Sequence, residues 1–233
     1  QLYNMVNPIG LYAFLQKGQY IEYSIIINER EIPMGRQYFS SAEREDGGLN
    51  ANITFNDWLY TLDNIEYNAG TSGTWTLSEA IASILSVAGE SQQVLFETGL
   101  ADVVIRKCIP QKTSCREAVR LCAQAAMCTC FVDRNNKLHF IRPMLKTALD
   151  DEWGRDVQRN EAQIKISPFY NTVKLTRRDE YQEEAEEEIF TAQNIASDDI
   201  ERTYEIENDL ANDGNAVAEW LLGWVQRRVS YDV

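Results

Sequence analysis

The period of the hydrophobic pattern changes twice along this chain, and that change restricts its fold more than any single motif does. From Tyr20 to Ile27 the run YIEYSIII begins with alternation and ends continuously apolar, rich in β-branched and aromatic residues. This predicts a strand that becomes buried toward its end. Asn28 to Glu31, followed by Pro33 and Gly35, predict a turn into a second extended piece from Arg36 to Ala42. A turn at Glu45-Asp46-Gly47-Gly48 then leads into clean alternation from Leu49 to Phe55. The first 68 or so residues therefore read as β.

After the polar linker Asn68 to Gly73 the period lengthens. Leu77, Ile81, Ile84, Leu85 and Ala88 fall on one helical face, with Thr76 and Glu79 in capping-box spacing and Gly89 as a stop. Ser114 and Glu117 repeat that spacing ahead of a second helix to Met127, whose inner face takes Ala118, Val119, Cys122, Ala125 and Ala126. A hairpin follows, Cys128 to Val132 and Lys137 to Arg142, turning at Asp133 to Asn136. Beyond a charged connector, Asp150 to Asn160, alternation returns at 163–167 and 171–176. Weaker strands follow at 188–192 and 200–206. A last helix over 214–228 carries Val217, Trp220, Leu221, Trp224 and Val225 on one stripe, with Arg227 and Arg228 at its C-terminal end. The expected fold class is α+β. Residues 1–73 and 145–233 supply β parts that need one another's edges, and 74–144 form a smaller α/β module between them.

The five cysteines lie between Cys108 and Cys130, and an odd number cannot pair fully within one chain. Core-filling thiols are expected. A zinc site is the sharper alternative, but no Cys-x-x-Cys occurs and His139 is the only histidine. No metal or other cofactor is expected.

Charge excludes more. The formal net charge is −14, which disfavours binding to nucleic acid or anionic lipid. Between Asp179 and Asp209 thirteen acidic residues face one basic residue, Arg202, so this segment holds −12 of the total. The run Glu183 to Glu188 is expected to be solvated. No segment approaches the ~20 apolar residues of a membrane-spanning helix. A chain that opens on Gln1 with no leader-like segment is expected to be an excised piece.

Material for catalysis is poor. His139 stands alone in LHFIR, and no Gly-x-Ser-x-Gly, phosphate-cradling glycine loop or His-Glu-x-x-His is present. A glycosidase could use paired carboxylates, but five acids in six positions repel one another. Tryptophans 58, 75, 153, 220 and 224 could stack on sugars, so a cell-surface or carbohydrate-binding module is the alternative. Trp220 and Trp224, four apart beside Leu221 and Val225, have core spacing instead. The chain is not expected to be an enzyme.

Several stretches together resemble a family. Ile53 to Asp63 resembles the end of the first β domain of phage and prophage tail-tip (baseplate hub) proteins of the late-control-D and Mu-like types. Thr76 to Gly89 is similar to the first helix of their inserted domain, and Cys115 to Met127 with Phe131 to Asp133 and Leu138 to Phe140 to its second helix and hairpin. Asn171 to Leu175 and Ala216 to Arg228 resemble the return into the second β domain. The resemblance implies β-barrel-like tube domains, a homotrimer forming a pseudo-sixfold ring, other tail proteins as partners, and a place in the virion tail. DNA would pass through without specific binding. A pore that passes DNA is helped by a wall of like charge, and Glu201, Glu205, Glu207 and Asp209 are the residues expected to face such a lumen. The acidic stretch and the cysteines depart from the family pattern.

Overall fold

The computed structural model describes residues 18–44, 51–68, 73–110, 112–143, 163–166, 170–178, 186–196, 200–226 and 229–232. The turn at 45–48, Trp153, the connector 150–160, Glu183, Glu184, Arg227 and Arg228 lie outside these.

β1 (Tyr20–Ile27) and β2 (Arg30–Arg44) form a long antiparallel hairpin, and β3 (Ala51–Asn56) pairs with the far side of β2. The turn consists of Asn28 and Glu29 alone, both at positive φ (50° and 63°), as tight hairpin turns that match strand twist require. β2 therefore starts at Arg30 rather than Arg36. It runs through Pro33, which sits opposite Ser24 beside a register break, where a missing N–H is tolerated. The expected burial of the end of β1 does not occur among the described residues. All eight residues are exposed, Ile26 at 72%.

The 3-10 helix Trp58–Asn64 leads into a module built by local rules. β4 (Glu66–Tyr67) pairs with β8 (Thr113–Ser114), and β5 (Thr74–Thr76) with β7 (Val104–Arg106). α1 (Leu77–Ala88) starts on the complete Thr76 and Glu79 capping box and stops at Gly89 in the left-handed region. α2 (Cys115–Ala125) starts on Ser114, whose hydroxyl accepts the Glu117 N–H, but the Glu117 carboxylate turns to Arg120 instead of closing the box. A parallel strand that alternation did not reveal, β6 (Val94–Phe96), joins β10 (Leu138–Ile141), which also pairs with β9 (Thr129–Val132). One core collects Trp58, Leu62, Leu77, Ile84, Val119, Cys122, Leu138 and Phe140. It begins at Trp58, so the 3-10 helix packs with the module's helices.

β11 (Gln163–Ile166) pairs with β15 (Val229–Asp232). β12 (Thr172–Arg178) lies between antiparallel β13 (Glu187–Gln193) and parallel β14 (Thr203–Glu207). α3 (Gly214–Val225), capped by Asp213, covers one face. Val217, Ala218, Leu221 and Leu222 meet Val173, Leu175 and Ala192 in a second core. Gly214 permits this approach, because a Cβ there would lie 2.3 Å from the Phe190 ring.

Among the described residues several contacts join these parts, including Arg106, whose backbone N–H donates to Leu210 O (2.9 Å) and whose guanidinium donates to Arg178 O (3.0 Å). Buried Asn208 donates to Leu121 O (3.2 Å) and Gln124 Oε1 (2.9 Å), and Leu210 enters the first core. β2 rests on the 133–136 turn: Arg36 N–H donates to Asn136 Oδ1 (3.1 Å), and a Cβ on Gly35 would lie 2.8 Å from the Arg134 carbonyl oxygen. The architecture is α+β. Among the described residues the sheets have two or three strands and none closes into a barrel.

Candidate functional site

The acidic return segment is built on β14. Alternation puts Glu205 and Glu207 on the sheet face away from α3, both exposed, while Ile206 between them packs with the second core. Glu201 is exposed ahead of the strand. Asp209 differs from these three: it is 4% exposed, and its carboxylate accepts the Arg178 backbone N–H at 2.8 Å. Burial raises its pKa, opposed by that N–H and by the Arg178 guanidinium. Of these four acids Glu201, Glu205 and Glu207 stand at the surface, while Asp209 fixes the end of the strand.

The basic pair ending NTVKLTRR organises the neighbouring acids, which composition alone did not reveal. Arg178 bonds Glu187 (3.3 Å) on one side and Glu207 (3.2 Å) on the other, and Arg177 pairs with Glu188. Glu187 and Glu188 are exposed, as expected of their run, but they are strand residues in register with Arg178 and Arg177. Arg177 also donates to the carbonyls of Ala211 and Asn212 and stacks over the Phe190 ring, so it holds the approach to α3.

All five thiols are free, and Cys122 is fully buried on the inner face of α2, as its spacing predicts. Burial pushes the Cys128 thiol up to about 12 and Cys130 to about 11, so neither is activated as a nucleophile. Among the described residues no group of three or more His, Cys, Asp or Glu could hold a metal ion. His139 stacks on Phe131 (5.2 Å between centroids) and bonds Asp133 Oδ2 at 3.0 Å; it braces the hairpin turn. Trp58 and Trp75 are buried, Trp75 under the Lys107 ammonium, and neither offers a face for stacking a sugar.

One cleft, of about 410 Å³, opens between the 3-10 helix, the first turns of α2 and β9. Arg116 pairs across it with Asp63 (2.7 Å), and Arg120 pairs with Glu117 along α2 (2.6 Å). Asp57 occupies the N-cap position of the 3-10 helix but makes no side-chain cap bond, and its carboxylate has no hydrogen-bond or ion-pair partner among the described residues. Among the described residues no helix is long and apolar enough to cross a membrane.

No protein-family model matches the chain, and no curated protein sequence does. Solved structures share its fold. A prophage MuSo2 43 kDa tail protein from Shewanella oneidensis is similar over 97% of this chain and 66% of its own length, at 14% identity and a TM-score of 0.59. A prophage tail protein from Listeria monocytogenes EGD-e is similar over 91% and 69%, at 13% identity and 0.54. A tail protein from Neisseria meningitidis MC58 is similar over 80% and 58%, at 10% identity and 0.53. The chain spans about three fifths to two thirds of the length of these proteins.

Proposed function

We propose that this chain is a structural subunit of a phage or prophage tail, of the baseplate hub type. In this reading three copies form a pseudo-sixfold ring that continues the tail tube and meets other tail proteins. The observation that carries it is the fold shared with three tail proteins, on a chain whose first strand is apolar yet exposed along its whole length. An exposed apolar edge strand favours association.

The β parts within 1–73 and 145–233 would build the tube wall, as barrel-like sheets completed between subunits, with 74–144 projecting as the module. Glu201, Glu205 and Glu207 would face the lumen, with Asp209 holding their strand, so that DNA meets a wall of its own sign.

Sedimentation and negative-stain imaging test the reading: a trimeric ring is the expected outcome, and a monomer at all concentrations would overturn it. Salt tests the lumen assignment. Acids converging on one axis repel within a Debye length of about 8 Å, so assembly should strengthen as salt rises. Neutralising Glu201, Glu205 and Glu207 to Gln should remove that dependence. Assembly that weakens with salt, or a dependence unchanged by the neutralisation, would refute the assignment.

A further inference from the structure

We propose that the cleft between the 3-10 helix, α2 and β9 is a docking site for a basic side chain, Lys or Arg, presented by a partner protein, with Asp57 as its counter-ion. The proposal is independent of ring assembly. The cleft's two cations are already matched, Arg116 by Asp63 and Arg120 by Glu117. Among the described lining residues Asp57 is the one carboxylate left over, and it makes no use of the cap bond its position offers. A half-buried carboxylate facing a cleft gains more from a cation than from water, provided the cation arrives on an apolar stem that fills the space behind it.

The cleft supplies that surface. Leu59 and Val119 line it, and Phe131, 43% exposed and held by its stack on His139, presents a ring over which a guanidinium or ammonium can settle. An anionic ligand would have to displace Asp63 or Glu117 from its arginine and would still meet Asp57. The chain's net charge of −14 also favours the approach of a cationic partner.

Cys130 lines the same cleft and is the only one of the five thiols that is not buried, so it reports occupancy. Alkylation of the full chain by iodoacetamide should slow in the presence of the peptide acetyl-Gly-Arg-Gly-amide, about tenfold when the peptide stands tenfold above its half-protection concentration. The same peptide with Gln or Glu in place of Arg should give no protection. D57N should abolish protection and, without peptide, should speed alkylation, because the carboxylate that opposes the Cys130 thiolate is gone. Absent protection by the Arg peptide, equal protection by the Gln or Glu peptide, or protection that survives D57N would overturn the proposal. If D57N unfolds, all five thiols will react, and F131A then carries the test with an expected several-fold loss of protection; protection unchanged in F131A would count equally against the site.

Discussion

The module around α1 and α2 and the hairpin arm β1–β2 use the same apolar residue types and end in opposite states. In the module, Leu77, Ile84, Leu138 and Phe140 are wholly buried; on the arm, Tyr20, Ile21, Tyr23, Ile25, Ile26 and Ile27 are 41% to 72% exposed. The difference lies in who supplies the cover. A helix stripe of period 3.6 presents one face, and the neighbouring elements of the same chain close on it. On the arm, β1 has two faces and an edge that no described strand pairs, and all eight of its residues stay exposed, while β2 is covered in part by β3 and by the 133–136 turn. Apolar pattern records a need for burial, and only topology says whether the chain meets that need by itself.

The sharpest way to break this contrast is a pair of truncations. Phe140 is fully buried and stacks on Phe96 at 5.1 Å, so Phe140→Ala should cost about 3–5 kcal/mol of unfolding free energy. Ile26→Ala on the arm should cost the dissociated chain less than about 0.5 kcal/mol and should instead weaken association. Urea melts of both variants at low protein concentration decide it. A loss at Ile26 as large as that at Phe140 would mean that the arm is covered within the single chain.

Legibility in the sequence follows the same line. The capped starts of α1 and α2 were readable because a hydroxyl three residues ahead of its partner N–H is a local device. The short pairs β4–β8, β5–β7 and β6–β10 were not, since two or three residues carry no period and join segments far apart in sequence. The burial expected at Ile25 to Ile27 is not seen because one strand's composition cannot show whether a second layer covers its sheet, and none does among the described residues. Among the expected lumen residues, Glu201, Glu205 and Glu207 are exposed, while Asp209 turned inward to Arg178, a partner 31 positions away. Asp57 and its cleft left no signal, because an acid ahead of a short helix looks like an ordinary cap.

The joint between the two regions can be cut by one methyl group. Gly35 holds φ +89°, and its missing Cβ would sit 2.8 Å from the Arg134 carbonyl oxygen, which is backbone and cannot swing away. Gly35→Ala should therefore cost about 1–3 kcal/mol. Hydrogen exchange should show the loss concentrated in β2 and the 133–136 turn, with α1 and α2 little changed. Uniform loosening of the whole chain would mean that the arm and the module unfold as one body.

A smaller effect at the same joint comes from protons. Burial alone would raise the Asp133 pKa, but the N–H groups of Lys137 (2.9 Å) and Asn135 (2.8 Å) and the His139 ring (3.0 Å) together hold it down to about 2. A depressed folded-state pKa means that the ionised carboxylate stabilises the fold at pH values above the ordinary Asp range. That contribution shrinks as pH falls from about 4 toward the folded value, because the unfolded chain takes up the proton first. Asp133→Asn keeps the shape of the side chain and removes the charge. The stability gap between wild type and D133N should be on the order of 1 kcal/mol near neutrality, limited by the solvent at the turn, and should narrow from about pH 4 downward. Because Asn136 on this turn accepts the Arg36 N–H, protection of the Arg36 amide, taken relative to its intrinsic exchange rate at each pH, should fall over the same interval in the wild type and stay flat in the variant. A gap that held constant down to about pH 3 would show that Asp133 does not brace the turn on which the arm rests.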